Sequence, residues 1–274
     1  MSTRSVRPTY EETVFRLASL DFAWDIERSL EFALFRTYAV PSISGLLAKT
    51  GEFERAPRKR YDDTELILSE MVENGLDSPR GQAALARMNA MHANYRISND
   101  DMRYVLSTFV LEPVRWIDRF GRRKVTKDER AAIVAYYRDL GGRMGIADIP
   151  EDFGGFDRFN RAYEAANFRY ADSNAQVAGA TMDLMLGMYL PRRLWPLGRP
   201  VMRALMHPAL LAAMGLEPAP KWMQRFVPFA LRLRGRIAGW LPRRRRPHLI
   251  TSVPRPTYPG GYLIERLGTF PGEP

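Results

Sequence analysis

The chain has 274 residues, 46% of them hydrophobic, which is enough for one large core with an appendage and too apolar for disorder throughout. Cysteine is absent, which excludes disulfides, thiolate metal sites and a cysteine nucleophile and suits a reducing, cytoplasmic setting. The net charge of +10 is unevenly placed: Pro191 to Arg246 carries thirteen Arg or Lys against Glu217 alone, a net of +12, whereas residues 247–274 sum to zero and the first 190 carry −2.

These shifts divide the chain into residues 1–190, expected to form a helical catalytic domain, a basic segment over 191–246, and an extended tail over 247–274. Residues 1–20 are polar and are expected to wrap the surface; no apolar stretch there reads as a signal peptide. No run approaches the 18 uncharged apolar residues of a membrane span.

From Phe22 to Tyr38 a helix is predicted with two apolar stripes, so it should lie inside the fold. Phe22, Ile26, Leu30, Ala33 and Thr37 make one stripe; Trp24, Phe35 and Tyr38 make the other. Glu31 falls in the second. A carboxylate among aromatic rings loses hydration and its pKa should rise. Pairing with Arg28 one turn back is the plainer alternative.

Pro41 ends this helix, and a short one from Ser42 to Thr50 is stopped by Gly51. Lys49 and Thr50 close its last turn, where a lysine is favoured by the helix dipole without any chemistry. Glu52 to Arg60 reads as a charged loop, and Asp63 as the cap of a helix ending near Asn74.

The next helix carries the first chemical signal. It opens with Ser78 as cap and Pro79 at the first helical position and runs to Arg96. At 100° per residue Ala84, Leu85, Met88, Met91 and Tyr95 share an arc, with His92 inside it and Arg96 one turn above at its edge. An imidazole on an apolar stripe needs a partner. The bland one is a backbone carbonyl or a carboxylate. The sharper one is haem iron, which takes a single axial protein ligand, with Arg96 available to a haem propionate.

Farther on, Asn99 or Asp100 should cap a helix from Met102 to Leu111 that Pro113 interrupts, and Thr126-Lys-Asp-Glu129 is a capping box for a helix ending at Gly141-Gly142. Phe156 to Arg169 and Asn174 to Tyr189 give two more helices. There is no sustained period-two alternation, no Gly-rich phosphate loop and no repeat. The fold class is all-α.

Beyond Pro191, Lys221 to Leu241 is the informative piece. Trp222, Phe226, Phe229, Ala230, Leu233, Ile237 and Trp240 share one face, with Lys221, Arg225, Arg232 and Arg236 beside it and Arg243 to Arg246 trailing. Such a helix suits the headgroup region of an anionic membrane; docking on the protein's own core is the alternative. Nucleic acid is not expected, because no recognised DNA- or RNA-binding motif accompanies the charge.

Taken together, Ser29-Leu-Glu-Phe-Ala-Leu-Phe-Arg-Thr-Tyr38, Lys49-Thr-Gly-Glu-Phe53, Arg60-Tyr-Asp-Asp-Thr64, Ala86-Arg-Met-Asn-Ala-Met-His92-Ala-Asn-Tyr-Arg96, Ile97-Ser-Asn-Asp-Asp-Met102 and Leu111-Glu-Pro-Val-Arg-Trp-Ile117 resemble the MpaB oxygenases, which share a superfamily with the latex-clearing proteins, or rubber oxygenases. The resemblance covers about Asp25 to Gly145 and fades beyond. It implies a globin-like helical domain that holds b-type haem, an oxidoreductase using dioxygen to cleave a carbon–carbon double bond of a polyisoprenoid or other long apolar substrate.

In that family a His-x-x-x-Arg pattern falls on His92 and Arg96, with His92 the iron ligand through Nε2 and its other nitrogen held by a carbonyl or carboxylate. A distal Lys-Thr pair falls on Lys49 and Thr50, and a distal glutamate base has its nearest candidate in Glu31, which would take an allylic proton. The rubber-oxygenase branch has an Arg one turn before the lysine, where this chain has Leu46. Fungal members also carry an N-terminal membrane helix, a place the basic segment after Pro191 would fill as a peripheral anchor. The remaining histidines, His207 and His248, each border a proline, which disfavours the regular helix that would aim a ligand. A non-catalytic haem or lipid carrier docking on membranes is the alternative function, and a cofactor-free membrane scaffold a third.

Overall fold

The computed structural model describes residues 9–269, and these are helical and loop, with no strand beyond an isolated bridge between Arg255 and Tyr258. The all-α expectation holds. Residues 9–20 depart from the expected surface wrap, while residues 1–8 lie outside the described residues. Thr9–Arg16 form α1, followed by a π turn over Leu17–Asp21. Val14 and Leu17 bury in the core, and the Glu11 carboxylate accepts the Leu76 amide at 3.2 Å.

Helix α2 spans Ala23–Tyr38 and packs along α7, Asn99–Phe120, which makes both central. Trp116 stacks on Phe32 at 5.4 Å and its indole N–H donates to the buried Asp25 at 3.3 Å. Pro113 does not interrupt α7. Its missing N–H removes one helix bond, but Val110, Leu111, Val114 and Ile117 are buried on either side, and their packing outweighs that loss. The cap of α7 is Ser98, whose hydroxyl accepts the Asp101 amide at 3.0 Å, rather than Asn99 or Asp100.

Helix α3, Pro41–Thr50, ends at Gly51 with φ of 70°, as its sequence requires. The charged stretch after it is not a loop. Glu52–Arg55 form a turn of helix, α4, and α5 runs from Pro57 to Asn74 with proline at its first position. Asp63 therefore lies within α5 and caps nothing. The pairs Arg58–Asp62 (3.0 Å) and Lys59–Asp63 (2.7 Å), each four residues apart, sustain helix through a stretch whose polarity suggested a loop.

Ser78 caps α6, Pro79–Ala93, by accepting the Gly81 amide at 2.9 Å. Gly81 is required by close approach: a Cβ there would lie 2.0 Å from the Gly75 carbonyl oxygen. Backbone cannot swing aside as a side chain can, so Gly81→Ala is expected to destabilise the protein by about 2–3 kcal/mol. Urea unfolding reads this directly, and an unchanged midpoint would mean that the turn between α5 and α6 yields freely.

The Thr126 capping box opens α8, Lys127–Arg143, as expected. Asp152 caps α9, Phe153–Asn167, three residues earlier than the periodicity suggested, and α10 covers Asp172–Tyr189. Two large apolar cores result, with a small third one of Ala204, Ala219 and Val227. One joins α1 and α5 to α8; the other joins α2, α3 and α10 to α12, Pro208–Ala213. Helix α5 touches both, with Leu66 and Ile67 in the first core and Tyr61 against the second.

The basic segment adds α11, Trp195–Arg203, and α13, Lys221–Trp240. Gly235 lets α13 lie against the end of α7, and the Arg234 guanidinium reaches Asp25 at 2.7 Å while lying 3.8 Å over the Trp24 ring. The last described stretch is extended but not loose. It straps along α5 and α6: Arg255 pairs with Asp62 (3.2 Å) and Glu65 (2.5 Å), Tyr258 donates to Asp63, Tyr262 donates to Glu70, and Leu267 is wholly buried.

Candidate active site

His92 sits in the last turn of α6, four residues beyond Met88 and eight beyond Ala84, both buried on the face toward α5. Its Nδ1 is buried and has no hydrogen-bond partner. The carbonyl or carboxylate expected to hold that nitrogen is not there. Burial first, and the nearby Arg60 cation second, lower the imidazole pKa to about 4, so the ring is neutral at pH 7. A neutral imidazole with a desolvated, unsatisfied nitrogen costs stability unless something else binds it.

The cation beside His92 is Arg60, from α5, and not Arg96. Helix α6 stops at Ala93 because the Asn94 side-chain amide turns back to the Ala90 carbonyl at 3.0 Å and caps the end. Arg96 thus lies past the helix terminus on exposed chain, without the one-turn stacking over His92 that an unbroken helix would give. Arg60 donates to the Thr64 hydroxyl one turn on along α5 at 2.5 Å, and its charge is felt both by His92 and by the buried Tyr38 hydroxyl of α2, with Thr181 of α10 beside that hydroxyl.

One residue along α5, Tyr61 points to the second group. Its hydroxyl donates to Glu31 at 3.2 Å, Tyr189 of α10 donates to the same carboxylate oxygen at 3.0 Å, and Arg28 lies 3.1 Å away. Glu31 is 5% exposed. Desolvation raises its pKa to about 7 against the opposing pull of Arg28 and the two phenols. Both sequence readings of Glu31 thus hold together: it is a desolvated carboxylate and it is paired with Arg28. The rings around it differ from those expected. They are Tyr61 and Tyr189, brought in from α5 and α10, whereas Trp24 turns to Trp116 and to Arg234.

Lys49 is exposed at the end of α3, and the Thr50 hydroxyl donates back to the Leu47 carbonyl at 2.7 Å. No hydrogen bond or ion pair joins either to Glu31 or His92. His207 is taken up structurally: its Nδ1 accepts the Leu210 amide at 3.2 Å as the cap of α12, and its ring stacks on Phe168. Among the described residues no three His, Cys, Asp or Glu gather at metal-ligating spacing.

Sequence reasoning missed Arg60, Tyr61 and Tyr189 as members of the site. Arg60 and Tyr61 lay in a quoted segment of the family resemblance, which was the available signal; Tyr189, some 158 residues from Glu31, had none.

Two neighbouring residues of α5 thus lead to the two titratable groups of this all-α domain, Arg60 to the neutral imidazole of His92 on α6 and Tyr61 to the buried carboxylate of Glu31 on α2. The chain belongs to the family described as ER-bound oxygenase mpaB/B′ and rubber oxygenase, catalytic domain, which matches residues 33–240. The match runs to the last residue of α13, well past Gly145, and it begins two residues after Glu31. The chain is similar to the ER-bound oxygenase mpaB′ of Penicillium brevicompactum, 34% identical over 77% of this chain and 54% of that protein. It is also similar to the ER-bound oxygenase mpaB of Penicillium roqueforti, 32% identical over 72% of each. The chain thus spans about half the length of the first relative and about three quarters of the second.

Proposed function

We propose that this protein is a haem-dependent oxygenase that uses dioxygen to cleave a carbon–carbon double bond of an isoprenoid-like apolar substrate. Its membership of an oxygenase family supports the reaction class. The observation that carries the cofactor is His92: a neutral, partly buried imidazole whose Nδ1 is shut off from water and has no hydrogen-bond partner. Those properties would suit a histidine that holds haem iron, since a ligating imidazole has to be neutral. When bound, haem would supply the activation of dioxygen. His92 would hold it, and the Arg60 guanidinium, whose charge already acts on His92, would be available to a haem propionate.

Glu31 would accept and return a proton, since a carboxylate with pKa near 7 can do both at neutral pH. Tyr61 and Tyr189 orient it by donating to one oxygen, leaving the other for substrate. The surroundings are apolar, as a hydrocarbon substrate would need: Phe35, Met182, Met185 and Leu186 are buried in the core against which Tyr61 packs. Lys49 and Thr50 belong to the reading only through the family resemblance, and the exposed position of Lys49 supports a helix-end charge. The absence of cysteine supports a cytoplasmic setting.

Purified protein reconstituted with b-type haem is expected to show a Soret band at one haem per chain and to form carbonyl products from an isoprenoid only in air. Haem uptake without oxygen-dependent product would favour the carrier; no uptake at all would sink the cofactor assignment.

A further inference from the structure

The most exposed apolar surface of the protein lies on α13. Trp240 is 86% exposed, Trp222 64% and Phe226 57%, and Phe229, Leu233 and Ile237 are exposed with them. At 100° per residue these six fall on one narrow arc, opposite Val227, Pro228 and Gly235, which are buried against the body of the protein. The helix therefore turns its ordinary packing face inward and a second apolar face outward. An arc of this size, left to water along a helix of 20 residues, calls for an occupant.

The charge around it selects that occupant. Arg225, Arg232 and Arg236 are exposed along one flank of the arc, and Arg243 to Arg246 are exposed just beyond its end. The neighbouring α11 adds exposed Leu197 and Val201, and a small core of Ala204, Ala219 and Val227 joins the two elements. A second copy of this chain would bring the same +12 segment against itself, which Coulomb repulsion opposes. An anionic lipid surface meets both demands at once, apolar depth for the rings and negative headgroups for the guanidiniums, with a Trp at either end at the level where indoles settle. No helix among the described residues is long and apolar enough to cross a membrane, so the attachment is in the plane of the interface.

We propose that the outward face of α13, extended by α11, is a docking surface for anionic membranes. Helix α11, which extends the face, packs on α10, and α10 ends at the half-exposed Tyr189, whose hydroxyl donates to Glu31. Docking would thus bring the Glu31 end of the protein to a membrane-dissolved substrate. The docking itself stands apart from the haem reading, and its test needs no cofactor.

The full chain is mixed with phosphatidylserine-rich or pure phosphatidylcholine vesicles and sedimented across a range of salt. Binding should favour the anionic vesicles and weaken as salt rises. The double variant Phe226→Ser with Phe229→Ser, and separately serine at Arg243, Arg244, Arg245 and Arg246 together, should each weaken binding at least about tenfold. All six positions are exposed, so the helical far-UV signal should stay that of wild type. Indifference to lipid charge, salt and both sets of substitutions would overturn the proposal. So would a stable dimer in solution that the phenylalanine variant dissociates, since the face would then be covered by a second copy.

Discussion

Replacing His92 with alanine is expected to abolish stoichiometric binding of b-type haem while leaving the helical far-UV signal largely intact. The fold should survive because His92 lies in the last turn of α6, beyond the buried Ala84 and Met88 that anchor that helix to α5. The substitution also removes an unsatisfied buried nitrogen, which offsets part of the small cavity it leaves. Titration of haem followed by its Soret absorbance checks the result. His207→Ala serves as the contrast, since that imidazole is engaged in capping α12 and stacking on Phe168 and should leave haem stoichiometry unchanged. Full retention of an unaltered Soret band in the His92 variant would remove the residue from the site.

The second large effect is expected at Glu31. In the folded protein this carboxyl titrates at about 7, against 4.5 ordinarily, so between those values the folded state holds a proton that the unfolded chain has released. Stability therefore falls as pH rises through that window, by up to about 3 kcal/mol. Glu31→Gln cannot ionise and loses this slope. The depressed pKa values of His92 and His207, both about 4, act in the opposite sense: their contribution is lost as pH falls from 6.5 towards 4. Both proteins share those limbs, so they cancel in the difference. Denaturant unfolding from pH 5 to pH 8 should show the variant gaining steadily on the wild type, and parallel curves would mean that Glu31 is ionised throughout. Under the proposed function the same substitution should also lower turnover about a hundredfold, the usual worth of a positioned proton acceptor.

The helical periods made α2, α3, α6, α8 and α10 legible in the sequence because each carries its own cap or its own apolar stripe. What sequence could not supply was partnership over distance. Glu52 to Arg60 read as a charged loop and Asp63 as a cap because Asp62 and Asp63 look like surface residues, until Arg255, Thr257 and Tyr258 cover them. Pro113 read as a break because its local cost is visible and the packing that outweighs it is not. At the site, helical geometry singled out His92 and Glu31 from their own stripes, yet it chose Arg96 as the partner cation through a helix end it placed one turn late. Arg60 arrives from another helix, as do Tyr61 and Tyr189 around Glu31. The outward face of α13 was legible as an amphipathic pattern; which of its faces meets the protein was not, and Gly235 decides it.

The strap along α5 bears on how the chain reaches this structure. Its contacts to Asp62, Asp63 and Glu70 close sequence separations of 193, 195 and 192 residues. Loops of that span are slow to shut, because their closure entropy must be met before any of the contacts forms. Until Arg255, Tyr258 and Tyr262 arrive, α5 presents carboxylates destined for burial without their full set of partners, and the flank of α6 next to Met91 stands uncovered where Gly268 later passes. On a ribosome, α5 and α6 would emerge well before the strap at residues 255–268 is made. The helix that carries His92 is therefore assembled early and sealed last, and the order in which the chain is synthesised leaves that side open through most of folding.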